Sequence, residues 1–242
     1  MCLILPSLLL AQRYKKKKNS VPKIFVGFGS GLYSSNIIIE EDLVWKLLYA
    51  DDTKWKRGNG NLIKINFGYG INNKIDISTG LSFNKYSVTQ TTGFGYWACD
   101  LSLYGATKIE KAERIVHLNS IEIPIEARYK FEFEKLILFP SIGFNTMFYT
   151  KINQTIEMTL DNGVIANHDN NDIELEHNRN YNLSLITKIG VGYRITKRWF
   201  LKLEPFYKYH IGQDEILTDF KKTNISSIGV QIGFEYALKF IK

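Results

Sequence analysis

The residues best suited to catalysis are a histidine and a serine three positions apart. His117 and Ser120 form an H-x-x-S motif, and a serine activated by a neighbouring histidine is a common nucleophile. In a β-strand, however, residues three positions apart point to opposite faces. The motif therefore predicts a solvent-exposed histidine at the base of a loop, and we expect no catalytic residue in this chain.

An acidic segment later in the chain could bind a metal ion. Its oxygen-bearing residues are Asp161, Asn162, Asp169, Asn170, Asp172, Glu174 and Glu176. Such oxygens are calcium ligands, but the D-x-D-x-D-G order of a helix–loop–helix calcium site is absent. We therefore favour an acidic solvated loop, with calcium binding as the alternative. Cys2 and Cys99 provide neither a disulfide framework nor a metal-binding spacing, and we predict no metal and no cofactor.

Charged residues of both signs alternate with apolar ones along much of the chain. This set resembles an acid–base cluster in composition only, because an unpaired buried charge is costly and paired charges have a structural role. The charged residues that follow this alternation include Lys64 and Asp76. We predict that the charges pair in one ion-pair network, whose members are Glu122, Glu126, Arg128, Lys188, Arg194, Lys202, Glu204 and Glu235.

The segment from Ser120 to Tyr149 shows which element would carry these charges. Isoleucine, alanine and aromatic residues alternate with Glu, Pro, Arg and Lys up to Phe131, and a charged link then leads into a second alternating run. A period of two indicates strands with one apolar and one polar face. An apolar face in lipid and a polar face in a narrow lumen satisfy both halves of the pattern, which is typical of a transmembrane β-barrel.

The same pattern recurs through the chain and predicts eight strands. The predicted strands are 23–35, 62–71, 75–88, 120–131, 136–145, 182–195, 199–210 and 225–240. Long connections (36–61, 89–119 and 150–181) alternate with short ones (72–74, 132–135 and 196–198). We therefore predict an all-β fold, an eight-stranded antiparallel up-and-down transmembrane β-barrel with long extracellular loops and short periplasmic turns. All four histidines, His117, His168, His177 and His210, are then expected at or beyond its outer rim.

Glycine supports closure of the barrel. Gly27, Gly29, Gly31, Gly68, Gly70, Gly80, Gly143, Gly190, Gly192, Gly229 and Gly233 all fall on the polar face. An eight-stranded barrel is just wide enough for side chains to fill its interior. We expect these glycines to make room for the long inward Arg, Lys and Glu side chains.

The N-terminal segment accounts for most of the net charge. Arg13 and Lys15 to Lys18 contribute +5 of the formal +7, which indicates a solvated tail and no nucleic-acid partner. The apolar run from Leu3 to Leu10 is typical of a secretory signal. The predicted divisions are residues 1–11 as a signal-peptide remnant, 12–22 as a basic tail and 23–242 as the barrel domain.

The motif I-E-I-P-I-E-A-R-Y-K-F at Ile121 to Phe131 and the run S-I-G-V-Q-I-G-F-E-Y at Ser227 to Tyr236 resemble the small outer-membrane β-barrels of the Bacteroidota, the PorT-like and related families. The resemblance implies an outer-membrane location and biogenesis by the barrel-assembly machinery, which reads a terminal strand ending in an aromatic residue. Here Phe240 is followed by Ile241 and Lys242, a departure from that signal. The resemblance leaves a secretion-associated role open.

The sequence favours a non-enzymatic barrel that anchors and displays loops to an envelope protein or an external surface. The alternatives are a barrel-embedded lipid-modifying enzyme and a soluble lipocalin-like ligand carrier, which would need an apolar lumen. In the preferred hypothesis Ile65, Phe83, Ile123, Leu203 and Ile232 contact outer-membrane lipid. Tyr129, Trp199 and Tyr236 then lie near the periplasmic interface.

Overall fold

The computed structural model describes residues 21–40, 54–92, 104–106, 108–170, 181–211 and 222–241. These residues form eleven β-strands. The strands are β1 (Val21–Glu40), β2 (Lys54–Lys56), β3 (Gly58–Gly70), β4 (Ile75–Thr92), β5 (Ile109–Tyr129), β6 (Phe131–Phe133), β7 (Leu136–Leu160), β8 (Ile165–Asn170), β9 (Tyr181–Arg194), β10 (Trp199–His210) and β11 (Lys222–Ile241). No helix among the described residues has the length and apolar character needed to span a membrane.

Eight of the strands close into an antiparallel barrel. Its strand order is β1, β3, β4, β5, β7, β9, β10 and β11, and β11 pairs with β1 to complete the ring. β2 is added to β4, β8 is added to β7, and β6 continues the line of β5 against β7. The predicted eight-stranded up-and-down barrel is confirmed. Each predicted strand lies in one of these eight, which are mostly longer than expected.

The register of the strands determines the shape of the barrel. Residues paired in succession around the ring lead from Ile24 through Tyr69, Ile77, Ala127, Ile142, Thr187, Tyr207 and Ile228 back to Ser34 on β1. The path returns ten residues further along the same strand, so the shear number is ten. With eight strands, this stagger requires a tilt of about 40° to the barrel axis.

The short connections all lie at one end, which we call the turn end. In the first turn the side-chain oxygen of Asn72 accepts hydrogen bonds from the backbone N–H of Lys74 (2.8 Å) and Ile75 (2.9 Å). In the third, the Thr196 hydroxyl accepts from the backbone of Arg198 and Trp199. The second is a two-residue turn in which Glu134 has a positive φ of 52°. The three predicted short links are thus confirmed.

The connections at the opposite end are shorter than predicted, because the strands continue into segments expected to be loops. β4 extends to Thr92 and β5 begins at Ile109, inside the predicted 89–119 loop. β7 continues to Leu160 and β8 follows within the predicted 150–181 loop. Beyond the barrel proper, water can solvate both faces of a strand, so charged residues there do not end strand pairing. What remains of the loops lies largely outside the described residues.

Side chains follow the predicted alternation. The outward positions of the barrel strands, from the turn end up to Leu32, Ile63, Phe83, Ile121, Phe148, Tyr181, Tyr209 and Ile228, carry apolar, aromatic, hydroxyl or proline side chains. Among the described residues none in this band is charged. Ile65, Phe83, Ile123, Leu203 and Ile232 are all exposed on this face. The inward positions carry the charged side chains and the glycines, as expected.

The glycines serve a role that differs in part from the one predicted. A side chain at Gly68 would collide with the ring of Phe25, one at Gly190 with that of Phe139, and one at Gly60 with that of Tyr33. A side chain at Gly27 would meet the Asn66 amide, and one at Gly29, Gly80 or Gly143 would first meet the backbone of a neighbouring strand. Inward glycines therefore make room mainly for aromatic rings and for close approach of the strands; among these positions only Gly143 also lies tightly against a charged side chain, that of Glu126.

Candidate functional site

The interior of the barrel is filled by charged side chains. Eleven lysine, arginine, aspartate and glutamate residues point inward and are at most 9% exposed: Lys64, Asp76, Glu122, Glu126, Arg128, Lys130, Lys188, Lys202, Glu204, Lys208 and Glu235. They come from β3, β4, β5, β9, β10 and β11 and from Lys130, directly after β5. Six of these residues are positive and five are negative, and attraction between opposite charges offsets much of the free-energy cost of burying them.

Arg128 is the centre of the group nearest the turn end. Its guanidinium donates to Asp76 (2.9 Å) on one side and to Glu235 (2.9 Å) on the other. Lys202 lies 2.7 Å from Glu235, and Lys130 lies 2.9 Å from the second oxygen of Asp76. Each carboxylate therefore has two cationic partners.

Two aromatic rings hold the Arg128 guanidinium between them. Its central carbon lies 4.8 Å from the centre of the Phe25 ring and 5.1 Å from that of Phe139. Glycines at 68 and 190 provide the space for these rings. The contacts are within the range of cation–π attraction, so the packing supports the arginine even though it is largely removed from water.

A second group lies at mid-lumen. Lys188 contacts both oxygens of Glu126, at 2.6 and 2.7 Å. Lys64 lies 3.8 Å from Glu126 and 4.0 Å from Glu204. Lys202 lies 3.5 Å from Glu204 and so joins this group to the one around Arg128. Nine residues on six chain segments thus form one connected network.

A third group lies nearer the open end and is separate from the network. Lys208 contacts Glu122 at 2.6 Å, and the Asn145 amide donates to the other oxygen of Glu122 (2.9 Å). Around and beyond this pair lies a cluster of buried apolar side chains: Tyr33, Leu62, Tyr86, Val88, Val116, Leu118, Met147, Tyr149, Ile186, Phe206 and Ile225. Ser35, Ser184 and His210 are buried at the same end of the lumen. The lumen therefore has a charged part towards the turn end and a mainly apolar part that begins at the level of this pair.

The eight residues predicted to form one network divide into three sets. Six belong to the connected network: Glu126, Arg128, Lys188, Lys202, Glu204 and Glu235. Glu122 pairs separately with Lys208. Arg194 lies at the mouth of the turn end and pairs with Glu132 (3.4 Å), so its assignment to the network is wrong. The position of Arg194 next to the turn leaves its side chain at the rim.

Four charged residues in the lumen were not among the eight predicted network residues. Lys64 and Asp76 were predicted as members of the wider charged set, whereas Lys130 and Lys208 were in neither group. All four lie on the inward side of the chain, so the alternation of side chains could have included Lys130 and Lys208 as well. It could not show that Lys130 pairs with Asp76 or Lys208 with Glu122, because those partners lie on other strands.

The candidate catalytic motif is not assembled. Ser120 is buried on the inward side of β5, whereas His117 lies on the opposite, outward side. Both lie within β5 and not at the start of a strand, because β5 begins at Ile109. His210 is the last residue of β10, at the rim as expected, but it points inward and is 2% exposed. His177 lies outside the described residues.

The acidic segment is divided by a strand. Asp161 and Asn162 lie in the turn after β7, whereas Asp169 and Asn170 lie at the far end of β8. Five strand steps separate the two ends by about 17 Å. Asp172, Glu174 and Glu176 lie outside the described residues. Within the described ranges no group of three or more His, Cys, Asp or Glu residues is arranged to hold a metal ion.

Opposite the turn end, β1 and β11 continue past the barrel as a pair, up to Glu40 and Lys222. Five other strands continue there as a sheet, which we call the strand extension. It consists of β2, the ends of β4, β5 and β7, and β8. Lys56 (2.6 Å) and Lys111 (2.9 Å) both contact Glu113. Their hydrogen bonds lower the pKa of Glu113 to about 2. This cluster joins β2 to β5 across the sheet.

A family model described as an outer membrane protein β-barrel domain matches residues 11–212. The chain belongs to this outer-membrane β-barrel family. Sequence comparison with curated proteins finds no match.

Several solved structures of outer-membrane proteins match the chain at low sequence identity. Neisserial surface protein A is 15% identical and covers 89% of this chain and 97% of its own, with a TM-score of 0.43. OprG from Pseudomonas aeruginosa is 12% identical and covers 90% and 96%, with a TM-score of 0.44. Ail of Yersinia pestis is 10% identical and covers 88% and 99%, with a TM-score of 0.37.

Membership of this family places the protein in the bacterial outer membrane. The uncharged outward band is then the lipid-facing surface, the turn end is periplasmic and the strand extension is extracellular. Outward aromatic residues form a belt at the periplasmic edge of the band: Tyr69, Tyr129, Phe131, Tyr193, Trp199 and Tyr236. The ring centres of Trp199 and Tyr236 lie 4.9 Å apart. Such belts mark the membrane interface of outer-membrane barrels.

Proposed function

We propose that this outer-membrane barrel is a non-enzymatic scaffold that presents its extracellular strand extension to an envelope protein or an external surface. The observation that carries the proposal is the length of the strands. β5 has 21 residues and β7 has 25, whereas about 9–11 residues are enough to cross a bilayer. The remainder forms an ordered sheet outside the membrane.

The filled lumen supports the same function. A transport path would need continuous water or an apolar chamber, whereas here ion pairs and packed side chains occupy the interior. The separation of His117 from Ser120 favours a scaffold over the embedded-enzyme alternative. The charged part of the lumen favours it over a lipocalin-like carrier.

The strand extension offers a specific contact region at β8. Among the described residues β8 pairs only with β7, so its second edge has backbone groups available to a partner. Ile165, at the start of β8, is 65% exposed and the adjacent Val164 is 40% exposed. An open strand edge flanked by exposed apolar side chains suits a partner that adds a β-strand.

The resemblance to the PorT-like barrels of the Bacteroidota belongs to this proposal. It suggests that the partner is a component of the cell envelope and leaves secretion as one setting for the contact. Biogenesis would proceed through the barrel-assembly machinery.

Site-specific crosslinking in native outer membrane tests the proposal. A photoreactive residue at position 165 should form a defined adduct with one protein, and Val164→Asp should abolish that adduct without loss of the folded barrel. The same residue at position 134, in the periplasmic turn, is the matched control and should not form it. Absence of an adduct from position 165, or an identical one from position 134, would contradict the proposal.

A further inference from the structure

Four outward-facing residues with hydrogen-bond donors lie side by side across four neighbouring strands. Asn61 on β3 pairs with Lys85 on β4, Lys85 with Asn119 on β5, and Asn119 with Lys151 on β7. Amide and ammonium groups therefore alternate along one line, which we call the Asn–Lys row. Asn61, Lys85 and Lys151 are exposed, and Asn119 is half-buried.

The row lies directly above the lipid-facing band. The outward residues immediately below its four members are Ile63, Phe83, Ile121 and Phe148, all apolar. Because the strands tilt by about 40°, each step to the next strand raises the row by about 3 Å. The row is therefore slanted: Lys151 lies about 6 Å further from the bilayer centre than Lys85, and Asn61 lies about 3 Å nearer to it.

The two lysines have no acidic partner on the protein. Among the described residues, no carboxylate lies within 4.0 Å of either ammonium group. Neighbouring Lys56 and Lys111, by contrast, both contact Glu113. The cationic groups of the row are thus available to an external anion.

Among the described residues, the positive charge of this register lies on one side of the barrel. From Asn61 the same register continues through uncharged residues: Leu32 on β1, Val230 on β11 and Pro205 on β10. A general attraction to an anionic membrane surface would not need a one-sided arrangement. The arrangement instead suits one bound molecule with both phosphate and hydroxyl groups.

We propose that the Asn–Lys row binds the phosphorylated sugar headgroup of an outer-leaflet glycolipid. Lys85 and Lys151 lie on strands two steps apart, about 10 Å between their backbones, and can reach one phosphate from both sides. Asn61 and Asn119 provide amide groups for sugar hydroxyls or phosphate oxygens. The apolar residues below contact the acyl chains of the same molecule, so a lipid is favoured over a soluble phosphate.

Binding to defined bilayers tests this proposal. The purified barrel is placed in nanodiscs, and binding of a bisphosphorylated diglucosamine lipid is compared with that of its dephosphorylated form by native mass spectrometry. Near an anionic membrane each lysine contributes ~1 kcal/mol. The Lys85→Gln/Lys151→Gln variant should therefore bind the phosphorylated lipid about thirtyfold more weakly, and the dephosphorylated lipid as the parent does.

Two further variants separate a site from general charge. Lys85→Arg/Lys151→Arg retains both charges and should retain binding. Lys74→Gln/Lys197→Gln removes two exposed lysines from the periplasmic turns and should leave binding unchanged. Equal loss in this control, or equal affinity of the parent for both lipids, would overturn the proposal. Displacement of the lipid by an equal concentration of inorganic phosphate would overturn the assignment to a lipid headgroup.

Discussion

At the scale of single residues, the environment of each charge is determined by which side of its strand it occupies. Inward charges are almost fully removed from water and survive because they are paired, whereas outward positions within the membrane carry no charge among the described residues. Breaking a buried pair leaves the second charge without compensation and is much more costly than breaking an exposed one.

The cost of removing a charged residue depends on whether its former partners still have another ion pair. Lys188 has no carboxylate other than Glu126 within 4.0 Å among the described residues. Breaking a buried pair lowers the free energy of unfolding by about 3–5 kcal/mol, and Glu126→Gln should fall at the upper end of this range. Arg128→Ala should fall at the lower end, because Glu235 keeps Lys202 and Asp76 keeps Lys130. Urea unfolding from lipid vesicles measures both. Exposed Glu110 is the control, and its change to Gln should cost almost nothing.

Lipid-facing residues should tolerate charge according to their depth. Ile125 is central in the outward row of β5 and is 60% exposed, so Ile125→Arg should destabilise the folded barrel by about 2–4 kcal/mol. Ile123→Arg should cost less, because Ile123 is nearer the extracellular edge. Inward Ser82→Thr should fold as the parent does. Parent-like stability of Ile125→Arg in vesicles would argue against the lipid-facing assignment.

At the scale of the strands, the barrel is governed by its turns and by the pairing of strands beyond the membrane. The Asn72 and Thr196 side chains satisfy backbone groups in two periplasmic turns. The turn between β6 and β7 instead has Glu134 in the left-handed region, where residues other than glycine are strained. The strand extension is joined by an ion cluster around Glu113. Each of these elements leads to a measurable expectation.

Glycine should relieve the strain in the β6–β7 turn. Glu134 has a φ of 52° and no described salt-bridge partner, so Glu134→Gly should stabilise the barrel by about 0.5–1 kcal/mol. Glu134→Ala retains the side-chain clash and should give no such gain. Comparison of the two variants by urea unfolding separates backbone strain from loss of the charge.

Acid should loosen the strand extension over a defined range. Because the pKa of Glu113 is lowered to about 2 by Lys56 and Lys111, its contribution is present above the ordinary carboxyl pKa and is lost as the pH falls through about 2. The protection factors of the β2 amides against hydrogen exchange, which correct for the pH dependence of intrinsic exchange, should therefore remain high at pH 4 and fall towards pH 2. Glu113→Gln should show the faster exchange at pH 7, whereas Glu110→Gln should not.

At the scale of the whole molecule, closure with a shear of ten leaves an interior that side chains fill. Ion pairs block the periplasmic part of the lumen and an apolar cluster blocks the extracellular part. The molecule should therefore act as a membrane anchor for an external sheet and not as a pore.

Planar-bilayer recordings test the closed lumen. The parent protein should show little or no steady conductance, because no continuous water path crosses the network and the apolar cluster. The double variant Arg128→Ala/Phe206→Ala removes one side chain from the ion-pair network and one from the apolar cluster. It should conduct more than the parent. A large, stable conductance of the parent, combined with a fully stable Arg128→Ala variant, would instead indicate a channel.

Much of this architecture could be predicted from local pattern. The pleat of a strand alternates side chains strictly between two faces, so the order of apolar and charged residues was enough to predict eight strands, their short turns and the inward glycines. The same alternation assigned each of the predicted charges to the inward side. These properties depend only on neighbours in the chain.

The partners of those charges depend on the tertiary structure. Arg128 and Glu235 are 107 positions apart, and Lys208 and Glu122 are 86 apart. Which residues meet is determined by the shear of ten, a property of the closed ring that no single strand contains. For the same reason Lys85 and Lys151 could not be recognised as neighbours in one row, whereas the place of Arg194 next to the predicted 196–198 turn could have indicated a rim residue. Strand pairing also extended β4, β5 and β7 into charged segments, because a partner strand in water can satisfy backbone groups that local sequence alone leaves unassigned.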